Sequence, residues 1–249
     1  MTLLDVHAHY GMKEYASYPK DSGVVIILNG MDYESNCFAL SESKKNPLIK
    51  AALGFHPLEV SSAESLLEAK KIITHIKTNP SLVAIGEVGL DHFHCKDIHL
   101  QRLQATIFDM MITLAQEMKK PLIIHARNTA DEVLTILEKR VLEKTFSQGI
   151  VLHCFEASEK NIKRAISLGC YFTIPASVKR NEHFQKLVSL VPISKLFTET
   201  DGPFQGPRKG TPAIPTDVIH ALEYIAKEKG LAEKEVENLI FMNYLKLFS

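Results

Sequence analysis

The chain has 249 residues, with 29 lysines and arginines balanced by 29 aspartates and glutamates for a formal net charge of zero. At 45% hydrophobic and 23% charged residues it has the composition of a globular protein, and residues 1–249 are expected to form one domain. The neutral balance excludes bulk electrostatic attraction to nucleic acid, though not a local basic groove, and no apolar run approaches membrane-spanning length.

Cys37, Cys95, Cys154 and Cys170 are too widely spaced for a CxxC cluster. With no signal-peptide pattern and no dense cysteine framework, a reduced cytoplasmic setting and no membrane partner are expected.

Eight short apolar runs succeed one another: TLLDVHA, VVIILN, IKAALGFHP, LVAIGEVGLD, PLIIHA, GIVLHCF, GCYFTIP and KLFTETDGP. Several are nearly continuous in Val, Ile and Leu, as parallel strands covered on both faces should be. Between them, SAESLLEAKKIITHIKTN, LQRLQATIFDMMITLAQEMKK, TADEVLTILEKRVLEK and EKNIKRAISLG carry apolar residues three and four apart, the helical period. TDVIHALEYIAKEKG and EKEVENLIFMNYLKLF add two more helices, while MDYESNCFALSESKKN is poorly periodic and leaves the second unit the weakest. Eight strand–helix units in about 250 residues match a (β/α)8 TIM barrel. A doubly wound open sheet is the runner-up, but it uses fewer strands, and no GxGxxG closes the first one.

Residues i and i+2 share a strand face, so Asp5, His7 and His9 lie together on the first unit. Glu87 and Asp91 share a face on the fourth. His125 ends the fifth run, His153 the sixth, and Asp201 closes the eighth on the face of Glu199. Barrel enzymes draw their active sites from the carboxyl ends of several strands, and five of these units place a histidine or carboxylate there. Four histidines and two carboxylates can supply ligands for two divalent ions with one carboxylate bridging. Imidazole suits Zn, Ni, Fe or Co, whereas a pure Mg site would normally prefer oxygen ligands; Zn, Mg, Mn, Ni and Co are the candidate ions. Buried structural histidines are the simpler reading of any one position, and the ordered set argues against it.

Taken in order, DVHAH (5–9), GFHP (54–57), GEVGLD (86–91), PLIIHAR (121–127), HCF (153–155) and ETDGP (199–203) resemble the TatD-type metal-dependent hydrolases and deoxyribonucleases. The resemblance runs nearly end to end. It implies a (β/α)8 barrel in which His7, His9 and Asp201 hold one metal, His125 and His153 a second, and Glu87 bridges the two. The activity it implies is hydrolysis of DNA phosphodiesters by metal-activated water, commonly as an exonuclease. Action of the 3′–5′ type on single-stranded ends is expected, because a concave barrel mouth suits a threaded strand end better than a duplex. Asp201, Glu87 and Arg127 are the expected catalytic residues, with Asp201 accepting a proton and Arg127 taking a phosphate oxygen. Two departures bear on substrate: Glu156–Ala157 follow HCF where the family often has Ser-Gly, and GPFQGPRKGTPAIP follows ETD where an Asn-Glu-Pro-like stretch is usual. The rival readings are an amidohydrolase, lactonase or deacylase acting on a small carbonyl compound, and a non-catalytic binding module.

Other residues carry weaker expectations. Glu199 and Asp5 are expected either to orient imidazoles or to form an internal salt bridge or hydrogen bond, and His56 either to line the site or to cap its loop. Arg208 and Lys209 form a basic loop tip suited to a nucleic-acid backbone. His92, His94 and His99 are placed near the rim. Cys154, next to His153, is expected to point away toward the helices as a small buried apolar group.

Overall fold

The computed structural model describes residues 3–12, 15 and 22–248; Thr2, which heads the first predicted run, lies outside them. All eight predicted strands form: β1 (Leu4–Ala8), β2 (Val25–Asn29), β3 (Ile49–Leu53), β4 (Ala84–Asp91), β5 (Leu122–Arg127), β6 (Ile150–Leu152), β7 (Tyr171–Pro175) and β8 (Leu196–Glu199). They pair in parallel in sequence order, and an Ala8–Gly202 bridge draws β1 toward the chain leaving β8, so the barrel is nearly closed. The chain is a (β/α)8 TIM barrel.

Helices α1 (Tyr33–Lys45), α2 (Ser65–Lys77), α3 (Ile98–Met118), α4 (Ala130–Leu142), α5 (Glu159–Ser167), α6 (Glu182–Leu190), α7 (Val218–Lys229) and α8 (Glu233–Phe248) cover the strands. None is long and apolar enough to cross a membrane. The short α6 was not among the periodic stretches recognised in the sequence; Asn181 caps it by accepting from the His183 N–H at 2.9 Å, and Phe184, Leu187 and Val188 bury its inner face.

Helix α1 explains its own weak periodicity. Its inward face carries the polar Ser35, Asn36 and Glu42 beside Ala39 and Leu40. Asn36 bonds both backbone groups of Gly54, donating to its carbonyl at 2.8 Å and accepting from its N–H at 3.0 Å. Asp32 and Ser35 form a reciprocal N-terminal cap, which starts the helix without an apolar stripe.

Two glycines let the strand carrying Glu87 approach its neighbours. A Cβ on Gly89, at φ +140°, would stand 2.0 Å from the His125 carbonyl oxygen, and one on Gly54 would stand 2.4 Å from that of Glu87. Only residues without a side chain allow β3, β4 and β5 to close here.

Candidate metal centre

Six polar side chains from β1, β4, β5 and the ends of β6 and β8 converge at the carboxyl mouth, with Glu87 at their middle. His7, His9, Glu87 and His153 are almost wholly buried. The two oxygens of Glu87 face different partners. Oε2 lies 3.3 Å from His7 Nε2 and 3.1 Å from His9 Nε2. Oε1 lies 2.9 Å from His125 Nδ1 and 2.8 Å from His153 Nε2. Asp201 joins the first side, its Oδ1 3.6 Å from His7 Nε2 and 3.7 Å from His9 Nε2. All six sequence-derived ligand candidates are thus brought together.

Hydrogen bonds outside the cluster fix which ring atom looks inward. His9 donates from Nδ1 to the Asn29 carbonyl at 2.8 Å, leaving the Nε2 lone pair for the site. His125 is turned the other way: its Nε2 lies 3.0 Å from Asp91 Oδ2, so Nδ1 faces Glu87. The His7 and His153 rings stack with centroids 3.8 Å apart, carrying both Nε2 atoms to the same carboxylate.

These rings leave inward nitrogens close together, His7 to His9 at 3.1 Å and His125 to His153 at 3.2 Å. Paired lone pairs repel unless something positive lies between them and Glu87. The donor set of imidazole nitrogens and carboxylate oxygens therefore fits divalent-cation binding. Without a cation, protons take that place. Burial disfavours charge on His9, His125 and His153, yet the hydrogen bonds and negative charge of Glu87, aided by Asp201, Asp91 and Glu199 respectively, raise all three above the usual imidazole range. His7 differs: burial, reinforced by His153, lowers it to about 3. Burial also raises Asp201 to about 7 against the pull of His153 and His9.

His56 Nε2 reaches Glu87 Oε1 at 3.2 Å, so this residue lines the site. Its Nδ1 accepts from the Leu58 N–H at 3.1 Å, which assigns the ring proton to Nε2. His56 is therefore a donor to Glu87 and presents no lone pair to a cation, while also capping its loop.

Several expectations are resolved or need correction. Asp5 orients no imidazole: its carboxylate accepts from the Thr200 N–H at 2.9 Å and from the Thr200 hydroxyl, tying β1 to the chain after β8. Glu199 does neighbour His153, with Oε2 3.7 Å from Nδ1, and its Oε1 accepts from the Cys154 N–H at 3.0 Å. Cys154 does not point toward the helices. Strand β6 ends at Leu152 and Cys154 has φ +41°, so the alternation of a strand no longer applies and its Sγ comes to 4.0 Å from Asp201 Oδ2. Burial and the nearby Glu199 and Asp201 charges hold the thiol protonated. Asp91, singled out in the sequence only as sharing the face of Glu87, proves to be the partner of His125.

Two cavities, of about 200 Å³ and 400 Å³, open on the centre and share His125, Arg127, His153, Asp201 and Gln205 as a common wall. Arg127 is exposed, with its guanidinium over the Phe93 ring at 4.5 Å. His94 lines the larger cavity and contacts Asp91 at 2.9 Å, whereas His92 faces Glu132 and His99 belongs to the first turn of α3. Arg208 and Lys209 are exposed and line neither cavity.

Comparison with known proteins finds relatives over nearly the whole chain. The sequence profile of the family described as TatD related DNase matches residues 4–249. An uncharacterized metal-dependent hydrolase of Methanocaldococcus jannaschii, MJ1582, is 32% identical, covering 98% of this chain and 96% of its own. The putative deoxyribonuclease TATDN3 of Mus musculus is also 32% identical, over 99% and 88%. The crystal structure of the TatD homolog YJJV from Escherichia coli shares the fold, with a TM-score of 0.86 at 24% identity over 99% of this chain and 97% of that one. The chain belongs to the TatD-related DNase family of metal-dependent hydrolases.

Proposed function

We propose that this chain is a dinuclear metal-dependent hydrolase that cleaves DNA phosphodiester bonds at single-stranded ends, as a 3′–5′ exonuclease. The observation that carries this reading is the division of Glu87: one oxygen faces His7, His9 and the Asp201 side, the other His125 and His153. His7, His9 and Asp201 would hold one cation, His125 and His153 the other, with Glu87 common to both. Zn, Mg, Mn, Ni or Co meets this donor set. Bound there, such ions supply Lewis-acid activation of water and neutralise charge on the reacting phosphate.

The protein groups then divide the remaining work. Asp201 takes the proton of the attacking water, since its half-buried carboxylate lines the wall common to both cavities. The water oxygen bonds to phosphorus as the bond to the departing 3′ oxygen breaks, and that oxygen takes a proton from solvent. Arg127 binds a non-bridging phosphate oxygen, its orientation held by the Phe93 ring. Arg127 is the sole arginine or lysine lining either cavity among the described residues. A single cationic side chain suits one phosphate, which favours action at a strand end over a grip on a long backbone. The naming of the mouse relative as a putative deoxyribonuclease supports the same substrate.

The test is hydrolysis by protein stripped of metal and reloaded with each ion in turn, given end-labelled single-stranded DNA beside a panel of phosphoesters, amides and lactones. Stepwise shortening from the 3′ end that requires metal and is lost in Asp201→Asn is expected. Intact DNA with turnover of an amide or lactone would overturn the nuclease reading in favour of an amidohydrolase-type activity.

A further inference from the structure

We propose that Gln205 is a substrate-binding residue that donates its side-chain amide to a non-bridging phosphate oxygen, acting beside Arg127. This rests on the phosphodiester reading above. Of the five residues shared by both cavities, three are candidate metal ligands and one is Arg127; Gln205 is the fifth. It stands where a group must reach a substrate lying across the centre.

Its orientation is set by the scaffold. The hydroxyl of Ser177, wholly buried in the short 3-10 turn that follows β7, donates to Gln205 Oε1 at 2.8 Å. With the oxygen engaged, the amide nitrogen carries two donors. Among the described residues no protein group accepts from it. The backbone is fixed as well: the Gln205 N–H donates to the Thr200 carbonyl at 3.2 Å, and Arg180 Nη2 donates to the next carbonyl, that of Gly206, at 3.1 Å.

The rest of the wall makes such a donor necessary. Glu59, Glu87, Asp91, Glu156 and Asp201 all contribute to the two cavities and offer acceptors. A phosphate oxygen not taken by a metal must find donors in an acidic surround. Arg127 supplies one set and the Gln205 amide supplies another without adding charge. An amide placed this way rejects a carboxylate replacement at its own position, because acceptor would then face anion.

Calorimetric titration of the metal-loaded protein with thymidine 5′-monophosphate, and with thymidine as the phosphate-free control, tests this. Gln205→Met keeps the side-chain length without the donor, and Gln205→Glu keeps an acceptor for Ser177 while opposing the phosphate. Removing one hydrogen bond to a charged group should weaken nucleotide binding about 10- to 100-fold in Gln205→Met, with Gln205→Glu weaker still, at unchanged metal content. Nucleotide affinity equal in wild type and both variants would overturn the role of Gln205 alone. Equal affinity of the wild type for nucleotide and nucleoside would instead overturn the phosphate reading, and this inference with it.

Discussion

Asp91 Oδ2 lies 3.0 Å from His125 Nε2 and thereby decides which nitrogen of that ring meets Glu87. Asp91 is itself buried and bonded to the His94 N–H at 2.8 Å, so its carboxylate is fixed before it fixes the histidine. An outer partner of this kind governs ligand orientation and basicity. Asp91→Asn should lower metal affinity about 10- to 100-fold with little change in the far-ultraviolet circular dichroism. Elemental analysis after dialysis against graded chelator reads the effect.

Asp201 combines burial with contact to the imidazoles of β1. Replacing it by Asn keeps the shape and removes the proton acceptor. The turnover number should fall by about 10²- to 10⁴-fold, with a smaller change in KM. Steady-state kinetics on a chromogenic phosphodiester separates the two parameters.

Metal uptake should be coupled to proton release. Asp201 sits at about 7, raised by burial, and His9, His125 and His153 are raised by Glu87 and its neighbours against burial. Bound cations need these groups deprotonated, so affinity should fall as pH drops through 7 and below. Titrating metal into the protein in buffers of different ionisation enthalpy counts the protons. A heat independent of buffer would contradict this coupling.

Most of the barrel was legible because parallel strands buried on both faces must be almost purely aliphatic, as in VVIILN and PLIIHA. The ligand candidates were legible for the opposite reason: ionisable groups interrupt those runs at their carboxyl ends. What escaped notice depended on loops and on contacts distant in sequence. Cys154 was misplaced because a left-handed residue immediately after β6 cancels strand alternation. Asp91 and Asn29 act through hydrogen bonds to histidines on other strands, and Gln205 through a buried serine 28 positions away. Helix α1 looked doubtful because its inner face bonds the backbone of Gly54 rather than burying an apolar stripe.

The seam between β1 and β8 should be sensitive to Asp5. Asp5→Ala leaves the buried Thr200 N–H and hydroxyl short of an acceptor, at a cost of about 1–3 kcal/mol each. The urea midpoint should drop clearly, more than for Glu199→Gln, which retains an acceptor for the Cys154 N–H.

Stability should also decline at alkaline pH. Burial pushes the Cys170 thiol up to about 12, while the unfolded thiol ionises near pH 8.5. Between those values the unfolded chain binds fewer protons than the native one, so stability falls as pH rises, by about 1.4 kcal/mol per unit for this group. Cys170→Ala should lower stability at pH 8 yet lose less of it between pH 8 and 10.5. Urea unfolding at the two pH values reads the difference.

In the proposed two-metal site Glu87 would be shared by two cations, one facing each of its oxygens. Anomalous diffraction from crystals soaked in manganese or zinc tests it most directly. Two peaks are expected, one bounded by His7, His9 and Asp201 and the other by His125 and His153, with Glu87 between them. A single peak, or none at full reconstitution, would rule out a two-metal centre shared through Glu87.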